Sequence, residues 1–406
     1  MAVGDIIKLE LESIAPGADA LGRIEGKPVF VEGGAPCETV HCRITEEKKT
    51  WARAEILEII TPSPVRVKPV CSFYTQCGGC NLQHIDYNAQ LELKVSILRD
   101  SFQRIGGVSP PETEIIPCTP FEYRNRMQFH CLRYEGNQNT RITADLREFA
   151  RNKDSLNTGI HKFGFMGTRS KEIIPITDCP IAVPEIREFL RGQCTIPLPV
   201  EKDRFNVFVK DDVLLNEGGL QKGKIKILDK EIFTDASLFF QSNCSMLEKL
   251  IIRLREIAEN ANFSLPMADL YCGVGTFALF LGEKFASVSL AEENKNAVAL
   301  ARENLRGTNA EYYALRDTEW QRALFCRKRS FSFAVIDPPR AGLNSKLAQT
   351  LADNGPPLLA YVSCDAASLS RDTKVFLNGG YALKELKLFD FYPQTAHIES
   401  LAVFER

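Results

Sequence analysis

Asp269-Leu270-Tyr271-Cys272-Gly273-Val274-Gly275-Thr276-Phe277 is the segment from which the architecture of this chain can be worked out. It begins within an apolar stretch typical of a buried strand and continues into a stretch typical of a helix. Two glycines at such a turn let the backbone approach a ligand closely. A third glycine at the dinucleotide spacing is absent, and Ala278 takes its place. The segment therefore predicts a cofactor-binding turn, with a purely structural tight turn as the alternative.

Around this turn, from about residue 236 onwards, predicted strands and helices alternate. This order indicates a doubly wound α/β domain, which binds ligands beyond the carboxyl ends of its strands. Candidate site residues follow the predicted strands: Gly273, Glu292, Asp317, Asp337 and Cys364. We expect them to lie at one edge of the sheet.

The chain before this domain has a different pattern. Residues 1–60 hold short runs of alternating apolar and polar residues, which predict a small β-barrel. Residues 61–235 predict a mostly β central domain, which also carries a helix over Tyr87 to Ile105. The predicted organisation is thus a multidomain α/β protein, with residues 1–60, 61–235 and 236–406 as its three parts.

Composition restricts the class of protein only loosely. A formal net charge of −2 gives no overall signal of nucleic-acid binding. The segment from Phe121 to Lys171, however, contains ten Lys or Arg but only five Asp or Glu, with aromatic residues among them. This local excess of positive charge permits an RNA surface. The N-terminus lacks a signal-peptide pattern, and no apolar run is long enough to cross a bilayer. We therefore expect a cytoplasmic protein without a membrane partner, while its oligomeric state stays open.

A cluster of cysteines near the start of the central domain suggests a metal site. Cys71, Cys77 and Cys80 lie within ten residues, and Gly78-Gly79 leaves the backbone free to wrap around an inorganic centre. Zinc usually takes two Cys-x2-Cys pairs, and only one such pair is present. Zinc stays an alternative to an iron–sulfur cluster at this point.

Taken in order, four segments resemble the RNA 5-methyluridine methyltransferase family: the glycine turn, Asp337-Pro338-Pro339-Arg340, Ser363-Cys364-Asp365, and the stretch from Pro393 to Ser400. The cysteine cluster resembles the iron–sulfur branch of that family, and residues 1–60 resemble its TRAM domain, a small OB-like RNA-binding barrel. The resemblance implies a class I, Rossmann-like methyltransferase domain that binds S-adenosylmethionine. The implied cofactor-binding residues are Gln241, Tyr271, Thr276, Glu292, Asp317 and Asp337. It also implies a [4Fe–4S] cluster held by Cys71, Cys77, Cys80 and Cys179.

The implied reaction needs a nucleophile and a base. Carbon-5 of uracil attacks a methyl group only after a thiolate has added to carbon-6, and a base must then remove the carbon-5 proton. The resemblance gives these roles to Cys364 and Glu399. One departure stands out, because Asp365-Ala366 replaces the usual Asn-Pro. A carboxylate beside the nucleophile is expected to disfavour the thiolate.

The favoured substrate is large-subunit ribosomal RNA, since a TRAM domain together with a cluster is similar to the ribosomal branch. Transfer RNA is the nearest alternative. A cytosine-5-methyltransferase would also use a cysteine, but Pro117-Cys118-Thr119 lies outside the α/β domain. A non-catalytic RNA-binding protein is the remaining alternative, and only Asp365 and Ala366 favour it.

Overall fold

The structure, a computed structural model, describes residues 1–133, 160–192, 202–325 and 330–406. Its N-terminal part is a closed barrel with the strand order β1-β2-β3-β5-β4. The strands are β1 (Ile6–Ile14), β2 (Ala20–Ile24), β3 (Lys27–Val31), β4 (Thr39–Glu47) and β5 (Ala52–Thr61). Alternating side chains such as Leu9, Leu11 and Val40 fill the barrel. The predicted N-terminal barrel is confirmed.

Helix α1 (Tyr87–Ser101) follows the cysteine segment and begins at Asp86, whose side chain accepts a hydrogen bond from the backbone of Asn88. A five-residue π-helix, Phe102–Gly106, continues it and ends at Gly107, which has a φ of 64°. Leu91, Val95, Leu98 and Phe102 are buried as their helical spacing predicts, but Ile105 is 44% exposed. The wider π turn rotates the following residues out of the expected face, so that Gly106 is buried instead of Ile105.

The central part contains a five-stranded sheet of order β11-β10-β7-β8-β9 and a separate hairpin, β12-β13. The strands are β7 (Arg126–Arg133), β8 (Ile160–Met166), β9 (Ile173–Pro175), β10 (Arg204–Lys210), β11 (Val213–Asn216), β12 (Lys222–Ile227) and β13 (Lys230–Asp235). Helix α2 (Pro184–Leu190) packs against it with Ile186 and Phe189. The ring of Phe129 stacks on that of Phe165 with a centroid separation of 5.1 Å in the core of this part.

The C-terminal part is built on an eight-stranded sheet of order β16-β15-β14-β17-β18-β20-β19-β6. The strands are β6 (Thr113–Ile116), β14 (Met267–Leu270), β15 (Val288–Ala291), β16 (Ala310–Tyr313), β17 (Phe333–Ile336), β18 (Leu358–Ser363), β19 (Ala382–Phe389) and β20 (Glu399–Glu405). The helices are α3 (Cys244–Ala258), α4 (Thr276–Leu281), α5 (Lys295–Asn304), α6 (Asp317–Phe325), α7 (Ser345–Asn354) and α8 (Ala366–Asn378), with a short 3₁₀ helix at Gly282–Lys284. The strands predicted before Gly273, Glu292, Asp317, Asp337 and Cys364 are all present.

One edge strand of this sheet comes from an earlier part of the chain. β6 pairs in parallel with β19, and α1 packs nearby through Val95 and Ile97 beside Leu388. The division at residue 235 is a prediction from sequence. The structure adds that residues 87–116, from the central segment, supply a strand of the C-terminal sheet and a helix that packs beside it.

Sheet register determines where the predicted catalytic residues meet. β18 runs parallel to β17 and antiparallel to β20, with Ser363 opposite Ser400. Cys364 follows Ser363, and Glu399 precedes Ser400 on the opposing strand. The register therefore brings Cys364 and Glu399 to the same end of the sheet. Among the described residues, no helix is both long and apolar enough to cross a membrane.

Candidate active site and cysteine cavity

The glycine turn after β14 has the conformation that its sequence predicts. Tyr271, Gly273 and Gly275 all have positive φ, at 61°, 54° and 81°. A Cβ on Gly275 would lie 2.7 Å from the Leu305 side chain, whereas a Cβ on Gly273 would meet nothing within 4 Å. The backbone at Gly273 thus borders open space, as a turn that contacts a ligand requires. A positive φ at Tyr271 costs of order 1–3 kcal/mol, and such strain is typical of functional turns.

Acidic side chains surround this turn. Glu292 Oε2 accepts a hydrogen bond from the Gly273 N–H at 3.2 Å, while Glu293 is exposed. The Tyr271 hydroxyl donates to Asp317 Oδ2 at 3.2 Å. Thr276 is the first residue of α4. The structure therefore brings four of the predicted cofactor-binding residues to one turn, and of the two adjacent glutamates it is Glu292 that contacts it.

Asp337 and Gln241 contact each other, and the Asp337 carboxyl group acts on Cys364. Gln241 Nε2 lies 3.5 Å from Asp337 Oδ2, and the buried Gln241 Oε1 has no hydrogen-bond partner within the described chain. Burial raises the pKa of Asp337 to about 7. A buried acceptor without a partner costs free energy, so Gln241 fits a polar ligand such as S-adenosylmethionine.

Asp269 also stabilises the glycine turn, a role that its sequence context did not reveal. Its Oδ2 accepts a hydrogen bond from the Ala278 N–H at 2.8 Å, near the start of α4. Complete burial raises the pKa of Asp269 to about 8, with further contributions from Asp337 and Glu292. Asp269 lies inside β14, and its contact with the start of α4 becomes visible only in the folded turn.

Cys364 stands at the end of β18 among two carboxyl groups and one cation. Burial, Glu399 and Asp337 raise its pKa to about 12, and Arg340 opposes them. Burial and Asp337 also raise the pKa of Glu399 well above its usual value, while Arg340 lowers it. A carboxyl group with a raised pKa is a stronger base once it is ionised. The arrangement combines one thiol, one buried acid–base group and one cation.

The structure gives Asp365 a role at the start of α8. The carboxylate of Asp365 caps α8 by accepting the Ser368 N–H at 2.7 Å, and the carboxyl groups that act most on Cys364 are Glu399 and Asp337. Asp and Asn are comparable N-cap residues, and Ala is tolerated at the first helical position, where Pro is also favoured. Asp365-Ala366 therefore starts the helix as Asn-Pro would.

The four predicted cluster cysteines line one cavity of about 350 Å³ in the central part. The loop that carries three of them is fixed to the end of β8, where the Gly78 N–H donates to Met166 O at 2.9 Å. A Cβ on Gly78 would lie 3.1 Å from that same oxygen. The Gly79 N–H points to Cys77 Sγ at 3.4 Å. Glycine at these positions lets the loop wrap closely, as the sequence predicts.

The four thiols also act on one another electrostatically. Burial raises the pKa of Cys80 to about 11 and of Cys179 to about 12, with smaller contributions from neighbouring thiols of the set. The pKa values of Cys71 and Cys77 are raised chiefly by burial as well. Within the part of the chain that the structure describes, no three His, Cys, Asp or Glu side chains form a site for a single metal ion. The cavity thus brings the four predicted cysteines together.

Residues next to the cysteine loop hold the turn that precedes Glu399. The backbone N–H groups of Asn81 and Leu82 donate to Gln394 O at 3.1 and 3.0 Å, and Gln90 exchanges hydrogen bonds with the Gln394 side chain and backbone. Gln394 has a φ of 68°, so this turn needs such support. Lys94 of α1 adds a hydrogen bond to Tyr392 O at 3.0 Å. The cysteine segment and the candidate active site are therefore in direct contact.

The predicted basic patch is only partly described. Residues 134–159 lie outside the described residues. Among the described residues of the patch, Arg126 is half-buried and donates to the carbonyls of Ala236 and Leu238 at 3.1 and 2.9 Å. Arg124 lines the cysteine cavity. Contacts within the protein thus engage Nη2 of Arg126, and the RNA surface between Phe121 and Lys171 stays a prediction.

The doubly wound sheet, the glycine turn and the acidic residues beyond the strand ends define a class I methyltransferase. Residues 209–406 match the tRNA (uracil-5-)-methyltransferase family, and residues 2–57 match the TRAM domain. An uncharacterised RNA methyltransferase of Treponema denticola is 30% identical over 422 residues, covering 96% of each chain. The chain belongs to the RNA uracil-5-methyltransferase family, and it is an enzyme of that class that uses S-adenosylmethionine.

Two further relatives show how far the similarity extends. A Legionella pneumophila protein, 23S rRNA (uracil(1939)-C(5))-methyltransferase RlmD, is 28% identical, with 95% of this chain and 94% of that protein aligned. The crystal structure of Pyrococcus abyssi tRNA (uracil-54, C5)-methyltransferase in complex with S-adenosyl-L-homocysteine covers 98% of this chain with a TM-score of 0.71 and 22% identity. All of that solved chain, 100%, is matched, so the two proteins share their fold over their full described length.

Proposed function

We propose that this enzyme methylates carbon-5 of a uridine in large-subunit ribosomal RNA through a covalent bond between Cys364 and carbon-6. The observation that carries the proposal is the sheet register that sets Cys364 beside Glu399 at the edge where the cofactor turn lies. The ribosomal target is supported by the Legionella relative, which aligns along 95% of this chain. Transfer RNA is the second candidate, because the Pyrococcus structure with the same fold is of a transfer RNA enzyme. A ribosomal or transfer RNA substrate also implies a cytoplasmic location.

In the proposed reaction the Cys364 thiolate forms a bond to carbon-6, and the electron pair of the carbon-5–carbon-6 double bond moves toward carbon-5. S-adenosylmethionine, when bound at the glycine turn, supplies the electrophilic methyl group. Glu399 then removes the carbon-5 proton, and the sulfur leaves carbon-6 as the double bond re-forms. Asp337 lies beside the turn, because its N–H donates to Leu270 O at 3.2 Å, and its carboxyl group also acts on Cys364. With Gln241, which contacts it, Asp337 is proposed to hold the two reactants in position.

Gln241, Tyr271, Thr276, Glu292, Asp317 and Asp337 are proposed to hold the cofactor. The open space at Gly273 and the partnerless Gln241 Oε1 support this set. Glu292 is proposed to accept the ribose hydroxyls, because its carboxylate already lies against the turn.

We further propose that Cys71, Cys77, Cys80 and Cys179 hold a [4Fe–4S] cluster. Four thiols around one cavity suit a cluster in which each thiolate binds its own iron. A single zinc ion is the alternative, and it would need all four sulfurs about 2.3 Å from one point. The cluster has no electron-transfer step to perform in the proposed reaction, so its proposed role is structural.

The function is tested by mapping 5-methyluridine in ribosomal and transfer RNA from a strain that lacks this gene. One uridine of the large-subunit RNA should lose its methyl group, and the wild-type gene should restore it whereas Cys364→Ala should not. Unchanged 5-methyluridine in ribosomal RNA, with a loss in transfer RNA, would assign the alternative substrate. Restoration by Cys364→Ala would contradict the proposed nucleophile.

A further inference from the structure

Arg340 and His397 form a bridge above the strand that ends at Cys364. Arg340 Nη2 lies 2.9 Å from His397 Nδ1 and 3.5 Å from His397 Nε2. Arg340 follows β17, and His397 precedes β20, while β18 lies between those two strands in the sheet. The Arg340–His397 contact therefore crosses the end of β18, where Cys364 stands.

This contact defines the protonation state of His397. A guanidinium group carries only hydrogen-bond donors, so His397 Nδ1 must accept and the imidazole must be neutral. In agreement, burial lowers the pKa of His397 to about 4, and the nearby cations Arg340, Arg124 and Lys94 lower it further. The ring packs edge-on against Tyr392 at a centroid distance of 5.6 Å. His397 is thus the neutral acceptor for Arg340, and their contact lies at the exposed edge of the site.

The loop that carries Arg340 is fixed as well. Arg371 of α8 donates to the carbonyls of Ala341 and Leu343 at 3.0 and 3.1 Å. The Leu343 N–H donates to the buried Asp372 at 2.9 Å. Because α8 starts directly after Cys364, the same helix holds the nucleophile and the loop of Arg340 in one arrangement.

The charges around Cys364 show what Arg340 does there. Glu399 and Asp337 oppose the loss of the thiol proton, and Arg340 is the cation that favours it. We propose that Arg340 stabilises the Cys364 thiolate and that His397 is the positioning residue that holds Arg340 in place. The inference rests on the proposed role of Cys364. The step concerned is transfer of the Sγ proton to water or hydroxide, which leaves on sulfur the electron pair that bonds to carbon-6.

The test measures Cys364 ionisation directly, in the absence of RNA and S-adenosylmethionine. Purified protein is alkylated with iodoacetamide between pH 7 and pH 10, and mass spectrometry follows the tryptic peptide of residues 347–371, whose one cysteine is Cys364. Only the thiolate reacts. Arg340→Met should slow alkylation on the order of tenfold at each pH. Arg340→Lys should stay within about threefold of wild type, because it keeps the charge.

His397 and a distant cation complete the experiment. His397→Phe keeps a ring but removes the acceptor, so alkylation should slow several-fold, and His397→Gln should recover most of the rate. Lys374→Met removes an exposed cation further along α8 and should leave the rate unchanged. Equal alkylation rates for wild type and a folded Arg340→Met protein would overturn the proposal. Unchanged alkylation together with weaker binding in a separate RNA-binding assay would also overturn it, and would make Arg340 a phosphate contact instead. Because no methyl transfer is measured, either failure leaves the assignment of Cys364 as nucleophile to its own test.

Discussion

The end of β18 and the cysteine cavity both contain buried thiols with raised pKa values, but the neighbours of those thiols differ. At the end of β18, Cys364 faces two carboxyl groups and Arg340. In the cavity, the thiols of Cys77, Cys80 and Cys179 have other thiols of the set and one cation, Arg124, as neighbours. A thiol among acid–base groups suits a nucleophile that gains and loses a proton, whereas thiols gathered around one cavity suit shared ligation of a metal centre. The surroundings, not the raised pKa itself, separate the two functions.

The two sites are nevertheless joined. Arg124 lines the cavity, and it also contributes to the lowered pKa of His397 and opposes the rise that burial gives the pKa of Tyr392. Asn81, directly after the cysteine loop, accepts the Ala396 N–H at 2.9 Å. Loss of order in the cavity should therefore reach the turn before Glu399.

The largest loss of stability is expected from Cys179→Ser, in the cysteine cavity. This variant should lose its iron and sulfide on anaerobic purification, and the free energy of unfolding should fall by roughly 5 kcal/mol or more, because metal binding and folding are coupled. Iron and sulfide assays and urea unfolding measure both changes. Cys42→Ser, in the barrel core, is the matched control that keeps the cluster. Stoichiometric zinc without sulfide in the wild-type protein would contradict the proposed [4Fe–4S] cluster.

A smaller effect is expected at the ion pair that ties α1 to the catalytic turn. Lys94 Nζ lies 2.6 Å from Asp390 Oδ1, and both side chains are at most 1% exposed. Lys94→Met should cost about 3–5 kcal/mol of stability, because it leaves a buried carboxylate without its partner. Adding Asp390→Leu should recover much of that loss. If Lys94→Met alone loses no more stability than Lys94→Met combined with Asp390→Leu, the ion pair does not hold the turn.

The smallest effect is expected at Asp365. Asp365→Asn should change the alkylation rate of Cys364 by less than about twofold, since the carboxylate is engaged as the N-cap of α8. Asp365→Ala should lower stability by about 1 kcal/mol through loss of that cap. A marked increase in Cys364 alkylation for Asp365→Asn would restore the view that this carboxylate suppresses the thiolate.

Local pattern was enough to predict much of this molecule. The strand–turn–helix at Asp269 to Phe277, the strand before Cys364 and the N-terminal barrel all follow from hydrophobic periodicity and glycine placement. The predicted helix from Tyr87 also forms, because its apolar stripe and its glycine end agree.

Contacts between distant parts of the chain were not predictable in this way. β6 has four residues and pairs with β19 about 270 positions later, and nothing in so short a run specifies that partner. Lys94 reads as a solvent-facing residue of a helix until Asp390 is seen opposite it. Arg340 and His397 are 57 positions apart and meet only through the strand order β17-β18-β20. Charge partners of this kind depend on topology, which a single sequence does not state.

Adduct formation by Glu399→Gln tests the central claim most directly. With S-adenosylmethionine and RNA that carries the mapped uridine, this variant should form the sulfur–carbon-6 bond and accept the methyl group but fail to remove the carbon-5 proton. A methylated protein–RNA adduct should then accumulate and survive denaturing electrophoresis, and it should be absent from Glu399→Gln combined with Cys364→Ala. Release of free methylated RNA at the wild-type rate, or an adduct in the double variant, would contradict the account.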